Sequence, residues 1–153
     1  MNDVRMPLGV SLVQLPKNVD ERGVLSFLEG GHDIPFDVQR VFWISQVPSG
    51  KVRGGHAHWT CHEVLFPVSG SFEVEVDDGL RSQTFLLDQT NVGLLIPAGV
   101  WCELRHFSED AVCVVVASQP YDPAGYAHAK TEWSRILREK QGENCGNDLG
   151  DCR

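Results

Sequence analysis

The sequence predicts an all-β fold, a sandwich or barrel built from short antiparallel strands. Three observations point to it. About nine or ten short segments are rich in β-branched and aromatic residues, turn signals separate them at intervals of roughly 8–12 residues, and strand and helix patterns do not alternate. The 15 Gly and 8 Pro are spread along the chain, as frequent turns require.

Each predicted strand is bounded by a turn signal. Ser69-Gly70-Ser71 joins two strands as a hairpin, and Asp78-Gly79 marks the next turn. In residues 72–77 acidic and apolar residues alternate, so we expect one face of that strand to be solvated. In chain order the predicted strands cover residues 10–16, 24–28, 38–44, 63–68, 72–76, 84–87, 92–96, 100–104 and 111–117.

One segment has the composition of a good helix. Residues 126–139 follow a turn at Asp122-Pro123 and place Trp133, Ile136 and Leu137 on one side. From residue 141 onward the chain is polar and Gly-rich. We therefore expect a single domain over residues 1–140, which is an ordinary domain size, and a flexible polar tail over residues 141–153.

The charge balance narrows the class of partner. Lys and Arg total 13 while Asp and Glu total 21, which gives a net charge of −8 with neutral His. The sequence has no Lys/Arg-rich run, and nucleic-acid binding depends on neutralising phosphates. We therefore expect no nucleic-acid partner. A nucleotide ligand remains possible where a few Arg side chains gather at one site.

The cellular location of the protein is predicted from its apolar stretches and from the number and spacing of its cysteines. No stretch of roughly 18 apolar residues occurs, and the N-terminal residues lack the pattern of a signal peptide. The five Cys are an odd number and have no CxxC spacing, unlike a disulfide framework. We expect no membrane association and a cytoplasmic location.

The segment RGGHAHWTCHE carries the strongest chemical pattern. His56 and His58 are two residues apart, so in a strand they face the same side. Glu63 follows closely enough for a bend to bring its carboxylate near both imidazoles. Two His and a carboxylate suit a divalent metal, and they suit general acid–base chemistry equally well.

This pattern resembles the first motif of the cupins, HxHxxxxExxxxxxG, with Gly70 as its last residue. The second cupin motif is similar to the segment that contains Gly93, Pro97 and Gly99, with Cys102 where a His is usual. The resemblance implies a double-stranded β-helix, the cupin jelly-roll barrel, with a short C-terminal helix.

Further segments resemble the WxcM-like sugar 3,4-ketoisomerases. They are DERGVLSFLE, IPFDVQRVFWI, RGGHAH, GSFEVEVDDG, IPAGVWCEL and VVASQPYDPAGY, in the same order as in that family. The resemblance implies a homodimeric, metal-independent isomerase without a cofactor, acting on a dTDP-4-keto-6-deoxyhexose in deoxysugar and cell-surface polysaccharide biosynthesis. The proton transfer would pass through an enediolate.

The resemblance also implies roles for individual residues. His56 and His58 match the catalytic pair. The substrate-binding set would then comprise Arg22, Arg40, Phe42, Arg53, Glu63 and Trp101. Three positions depart from the family pattern, because Phe42, Glu63 and Cys102 stand where Tyr, Gln and His are common.

These departures keep two alternatives open. The first is a metal-dependent cupin that binds one divalent ion through His56, His58, Glu63 and Cys102, since carboxylate and thiolate are both metal ligands. The second is a non-catalytic cupin that binds a nucleotide sugar without turning it over, because a fold can persist when its function changes.

Overall fold

The computed structural model describes residue 7 and residues 9–145, with side chains as far as residue 142. Two five-stranded antiparallel sheets enclose a shared core, and a separate two-stranded hairpin accompanies them. A single α-helix follows the last strand of the described chain. The predicted all-β jelly roll with a C-terminal helix is confirmed.

Twelve strands and one helix make up the described part of the chain. In chain order they are β1 (Ser11–Gln14), β2 (Lys17–Asp20), β3 (Gly23–Ser26), β4 (Arg40–Ser45), β5 (Arg53–His58), β6 (Glu63–Ser69), β7 (Phe72–Asp77), β8 (Ser82–Leu87), β9 (Val92–Ile96), β10 (Trp101–Arg105), β11 (Val112–Ala117), β12 (Tyr126–Ala127) and α1 (Lys130–Cys145), with a short 3-10 turn at Pro123–Gly125.

The strand order explains how distant segments meet. The first sheet runs β1–β9–β6–β11–β4, and the second runs β12–β5–β10–β7–β8. The strands β5 and β6 are consecutive in the chain yet belong to different sheets. The HxH pair on β5 and Glu63 at the start of β6 therefore approach each other from opposite sheets.

The main core fills the space between the sheets. Leu65 and Val115 of the first sheet pack with Val74 and Leu104 of the second. Burying one such side chain fully stabilises the fold by about 1.5–3 kcal/mol. The predicted alternation of β7 is confirmed, because its Val and Phe residues are buried while its acidic residues are partly exposed.

The first sheet is also covered on its other face. Val64, Phe66 and Val116 pack there with Ile34, which lies in the loop before β4. This explains why β6 is a nearly continuous apolar run, since a strand buried on both faces has no polar side.

The helix packs on the outer face of the second sheet. Trp133 is buried against Trp101, with ring centroids 5.7 Å apart, and its indole Nε1 donates a hydrogen bond to the Gly99 carbonyl at 2.8 Å. The length and polarity of α1 also decide whether this helix could cross a membrane. Within the described range, no helix is long and apolar enough to cross a bilayer.

Two element boundaries differ from prediction. Tyr126 and Ala127 were expected to begin the helix, but they pair with β5 as an edge strand, and the helix starts at Lys130. The helix also continues to Cys145, five residues into the predicted tail that starts at 141, while residues 146–153 of that tail lie outside the described residues.

Candidate active site

Strand β5 turns both predicted catalytic histidines toward the interior. His56 lies opposite Cys102 of β10, and the intervening Ala57 lies opposite Trp101 on the outer face. The pairing skips Gly55 as a bulge. At the neighbouring Gly54, where φ is +79°, a Cβ would lie 2.9 Å from the Cys102 carbonyl oxygen. Glycine therefore allows the close approach of the two strands that positions His56.

The two imidazoles form a compact pair. Their ring centroids are 5.1 Å apart and their planes are nearly perpendicular, at 87°. His58 is buried and His56 is half-buried. Burial lowers the pKa of His56 below its ordinary value, and the adjacent His58 lowers it further. At neutral pH His56 is therefore largely in the neutral form that can accept a proton.

Glu63 directs its carboxylate at His58. Its Oε1 lies 2.9 Å from His58 Nε2 and 3.5 Å from Arg40 Nη2. The contact with His58 is close but poorly aligned, because neither of its two atoms has a hydrogen-bond partner among the described residues. Buried polar atoms are seldom left in this state.

Arg40 connects this carboxylate to the opposite sheet. Its Nη1 donates a hydrogen bond to the Tyr126 hydroxyl at 3.4 Å. Its Cζ lies 5.2 Å from the centroid of the Phe42 ring, within the range of a cation–π contact. The predicted residues Arg40 and Phe42 therefore belong to one cluster with Glu63.

Tyr126 is a member of the site that the sequence did not predict. It lies in β12 directly opposite His58, and its ring centroid is 4.3 Å from that of His58 and 5.2 Å from that of His56. The helical composition of the residues after it concealed the strand. The available signal was Gly125, since an aromatic residue just after a turn favours a strand.

A cavity of about 310 Å³ opens between the sheets. Five predicted site residues line it, namely Phe42, Arg53, His56, Glu63 and Cys102. This volume lies at the lower end of ligand pockets, so it suits a sugar ring better than a whole nucleotide sugar. A groove of about 480 Å³ shares Arg53 with the cavity and adds Lys51.

Arg22 lies apart from this cavity. It belongs to the turn between β2 and β3, its side chain is 84% exposed, and it forms an ion pair with Asp20. The cavity lining does not include it. Within one subunit the structure thus does not bring Arg22 to the predicted substrate site.

Trp101 does not lie where the sequence predicted it. Trp101 was expected to contact substrate, but it is 4% exposed and packs beneath the helix, because its neighbour Cys102 takes the inward face of β10. In β4, Trp43 is 68% exposed, while its neighbour Phe42 packs against the core. Both outcomes follow from strand alternation, which sends adjacent side chains to opposite faces.

One group near the cavity has the chemistry of a metal site. Ligand atoms of His56, His58 and Glu63 all lie within 4.8 Å of one another. Cys102 was the fourth ligand of the predicted metal alternative, but it is not a member of this group. Burial also raises the pKa of Cys102 far above its ordinary value, so without a metal its sulfur is a protonated thiol.

Comparison with known proteins agrees with this geometry. The family model FdtA, described as WxcM-like, C-terminal, matches residues 8–138. A TDP-4-oxo-6-deoxy-alpha-D-glucose-3,4-oxoisomerase from Aneurinibacillus thermoaerophilus is 36% identical over 135 residues, which cover 86% of this chain and 97% of that protein.

Solved structures give the same relationship. A 3,4-ketoisomerase from Helicobacter canadensis superposes with a TM-score of 0.83 at 32% identity, over 85% of this chain and 98% of that one. QdtA, a sugar 3,4-ketoisomerase from Thermoanaerobacterium thermosaccharolyticum solved with TDP, superposes with a TM-score of 0.85 at 32% identity, over 88% of this chain and 98% of that one. The chain therefore belongs to the WxcM-like family that the FdtA model describes.

Proposed function

We propose that this protein is a sugar 3,4-ketoisomerase that acts on a dTDP-4-keto-6-deoxyhexose. The observation that carries the proposal is the place of His56, half-buried in the lining of a sugar-sized cavity that Arg53 and Glu63 also line. The names of the relatives support the reaction class, and the TDP complex of QdtA supports the nucleotide.

The reaction moves a carbonyl from carbon 4 to carbon 3 of the hexose. A base removes the proton on carbon 3, which the neighbouring carbonyl makes acidic, and the electron pair forms an enediolate across the two carbons. The hydroxyl proton passes from oxygen 3 to oxygen 4. A proton is then delivered to carbon 4 while the carbonyl forms at carbon 3. The sum is an isomerisation, which needs no oxidant or reductant.

His56 is our candidate for the base. It lines the cavity, and its lowered pKa keeps it unprotonated near neutral pH, as a proton acceptor must be. His58 is buried behind it, beside Glu63, and does not line the cavity. We therefore assign His58 to holding the ring of His56 in place.

Arg53 is our candidate for stabilising negative charge. It lines both the cavity and the groove with Lys51. A guanidinium at the cavity can donate hydrogen bonds to the enediolate oxygen, and at the groove it can bind a diphosphate in the bidentate manner that Arg favours. The substrate would thus place its sugar in the cavity and its nucleotide in the groove.

A divalent metal at His56, His58 and Glu63 is the second candidate. Those side chains converge, and two of their buried atoms lack hydrogen-bond partners in the part of the chain that the structure describes. A metal there would supply Lewis acidity at the substrate oxygens. Against it, Arg40 already places a positive charge 3.5 Å from Glu63. We therefore propose catalysis without metal. Activity that is lost in EDTA and restored by one divalent cation would overturn this choice.

A homodimer is part of the proposal. Large apolar side chains are exposed on the β2–β3 hairpin and on the outer face of β4, among them Val19, Val24, Leu25, Val41 and Trp43. Apolar surface of this kind commonly marks an interface. In a dimer built on it, the hairpin would carry Arg22 to the partner subunit, where the predicted contact with substrate becomes possible.

The proposed cytoplasmic location draws support from the cysteines. Cys61, Cys102 and Cys113 are free and buried in the described chain, as expected of a protein in a reducing compartment.

The proposal is tested by supplying dTDP-4-keto-6-deoxyglucose and following the sugar by NMR. We expect signals of the 3-keto isomer to appear at a rate proportional to protein concentration. Folded protein that binds dTDP and yields no 3-keto sugar would overturn the isomerase assignment in favour of a binding protein.

A further inference from the structure

We propose that Tyr126 is a positioning residue of this isomerase, acting through Arg40. The inference rests on the proposed function and extends it to a residue on the last strand of the second sheet. It starts from the hydroxyl of Tyr126, which accepts a hydrogen bond from Arg40 Nη1 at 3.4 Å.

Among the described Lys and Arg residues, Arg40 alone forms an ion pair with Glu63. Its guanidinium lies 5.8 Å from the ring of Tyr121 and has three further neighbours that differ in kind. Glu63 offers a carboxylate at 3.5 Å, Phe42 offers a ring face at 5.2 Å, and Tyr126 offers the hydroxyl. The Nε of Arg40 is buried and has no hydrogen-bond partner among the described residues. The orientation of the guanidinium therefore depends on a few contacts, of which the one with Tyr126 comes from the opposite sheet.

Tyr126 is itself held in place by several rings. It packs on His58 at 4.3 Å and on His56 at 5.2 Å, and it stacks on His128 at 5.5 Å with an angle of 10° between the planes. Its backbone is also fixed, because β12 pairs with β5 in register opposite His58. The hydroxyl is thus presented to Arg40 by a side chain with little freedom to move.

The arrangement gives Tyr126 two contacts that matter for proton transfer. Its ring supports both imidazoles, and its hydroxyl holds the guanidinium that lies beside the Glu63 carboxylate. Phe42, which has no hydroxyl, lies against the same guanidinium and cannot supply this hydrogen bond. We infer that Tyr126 keeps Arg40, and through it Glu63 and His58, in the geometry that the reaction needs.

The test is a double-mutant cycle on turnover, with Tyr126→Phe, Arg40→Gln and the double variant. Tyr126→Phe keeps the ring packing and removes one oxygen atom. We expect it to lower kcat roughly tenfold, the size expected for a hydrogen bond to a charged group, and to leave KM within about twofold. Because the tyrosine acts through Arg40, the double variant should be no slower than Arg40→Gln alone, within about twofold.

Tyr121→Phe is the matched control. Tyr121 is exposed, and its ring centroid lies 5.8 Å from Arg40 Cζ, so the change removes a phenolic oxygen from the other tyrosine ring beside the same guanidinium. We expect kcat within about twofold of wild type. An equal loss in this control would overturn the specific role of Tyr126.

The outcomes separate the two proposals. Wild-type protein without isomerase activity would overturn the proposed function and this role with it. An active wild type with a fully active Tyr126→Phe variant would overturn the role of Tyr126 alone. Losses that multiply in the double variant would also overturn it, since they would show that the tyrosine acts independently of Arg40.

Discussion

His58 Nε2 and Glu63 Oε1 lie 2.9 Å apart, and neither has a hydrogen-bond partner among the described residues. The two side chains come from different sheets, β5 and β6, so the whole jelly roll fixes their separation. Arg40 reaches the same carboxylate oxygen at 3.5 Å. One buried carboxylate thus faces both the His58 imidazole and the Arg40 guanidinium, so the charge of Glu63 is the first target for mutation.

Replacing Glu63 by Gln should lower stability. The change keeps the shape and removes the charge, which leaves the mostly buried guanidinium of Arg40 without its carboxylate. We expect a loss of about 1–3 kcal/mol in the free energy of unfolding, measured by urea denaturation. The control is Glu139→Gln, which breaks the exposed pair with Arg135 and should cost at most about 0.5 kcal/mol. Equal losses in the two variants would contradict the role given to Glu63.

The activity should depend on pH through His56. Burial and the neighbouring His58 lower the pKa of His56, so its protonated form builds up only at pH values below the ordinary 6.5. Since only the neutral ring can accept the proton, kcat/KM should fall as the pH drops through this lowered pKa and should be level from there to neutral pH. A fall in kcat/KM toward acidic pH with its midpoint above pH 6.5 would contradict the assignment of His56 as the base.

Gly70, the glycine that closes the first cupin motif, should not tolerate a side chain. Its φ is +61°, and a Cβ there would lie 2.6 Å from Asp110 Oδ1 and 2.8 Å from Ala111 Cα. Gly50 also has a positive φ, of +77°, but has nothing within 4 Å. Gly50→Ala should therefore cost about 1 kcal/mol from backbone strain, and Gly70→Ala more than twice that from strain and clash together.

Thermal or urea unfolding of the two variants measures the difference. Equal stabilities would mean that the turn between β6 and β7 relaxes around the new methyl group, which the close backbone contact at Ala111 argues against.

The exposed hairpin should hold two subunits together. Val24 is 60% exposed in β3, and a charge placed there would oppose burial in an interface. We expect wild-type protein to be dimeric by light scattering and Val24→Asp to shift toward monomer. Leu80→Asp is the control, since Leu80 is 76% exposed in the turn after β7 and should leave the dimer intact. A monomeric wild type would contradict the proposed assembly.

Much of the fold was predictable from local pattern. Strand alternation and turn residues predicted most of the sheet strands, and the spacing of His56 and His58 predicted that their side chains share a face. These inferences succeeded because a strand has a fixed period of two and turns depend on Gly, Pro and Asp residues.

The remaining features depend on contacts between distant segments. Tyr126 lies in a segment of mixed propensity, and only its pairing with β5 decides that it is a strand. Trp43 and Trp101 could not be assigned a face until the register fixed which neighbour points inward. The fully exposed strand β2, KNVD, has one β-branched residue and forms through pairing with β3.

The most direct test of the account compares wild-type protein with His56→Asn on dTDP-4-keto-6-deoxyglucose, with the 3-keto product measured by NMR. His106→Asn is the control, because His106 is exposed and has φ +52°, a conformation that Asn adopts readily. We predict that His56→Asn is on the order of 10²–10⁴ times slower while it still binds dTDP, and that His106→Asn matches wild type. A His56→Asn variant as fast as wild type would contradict the assignment of the base.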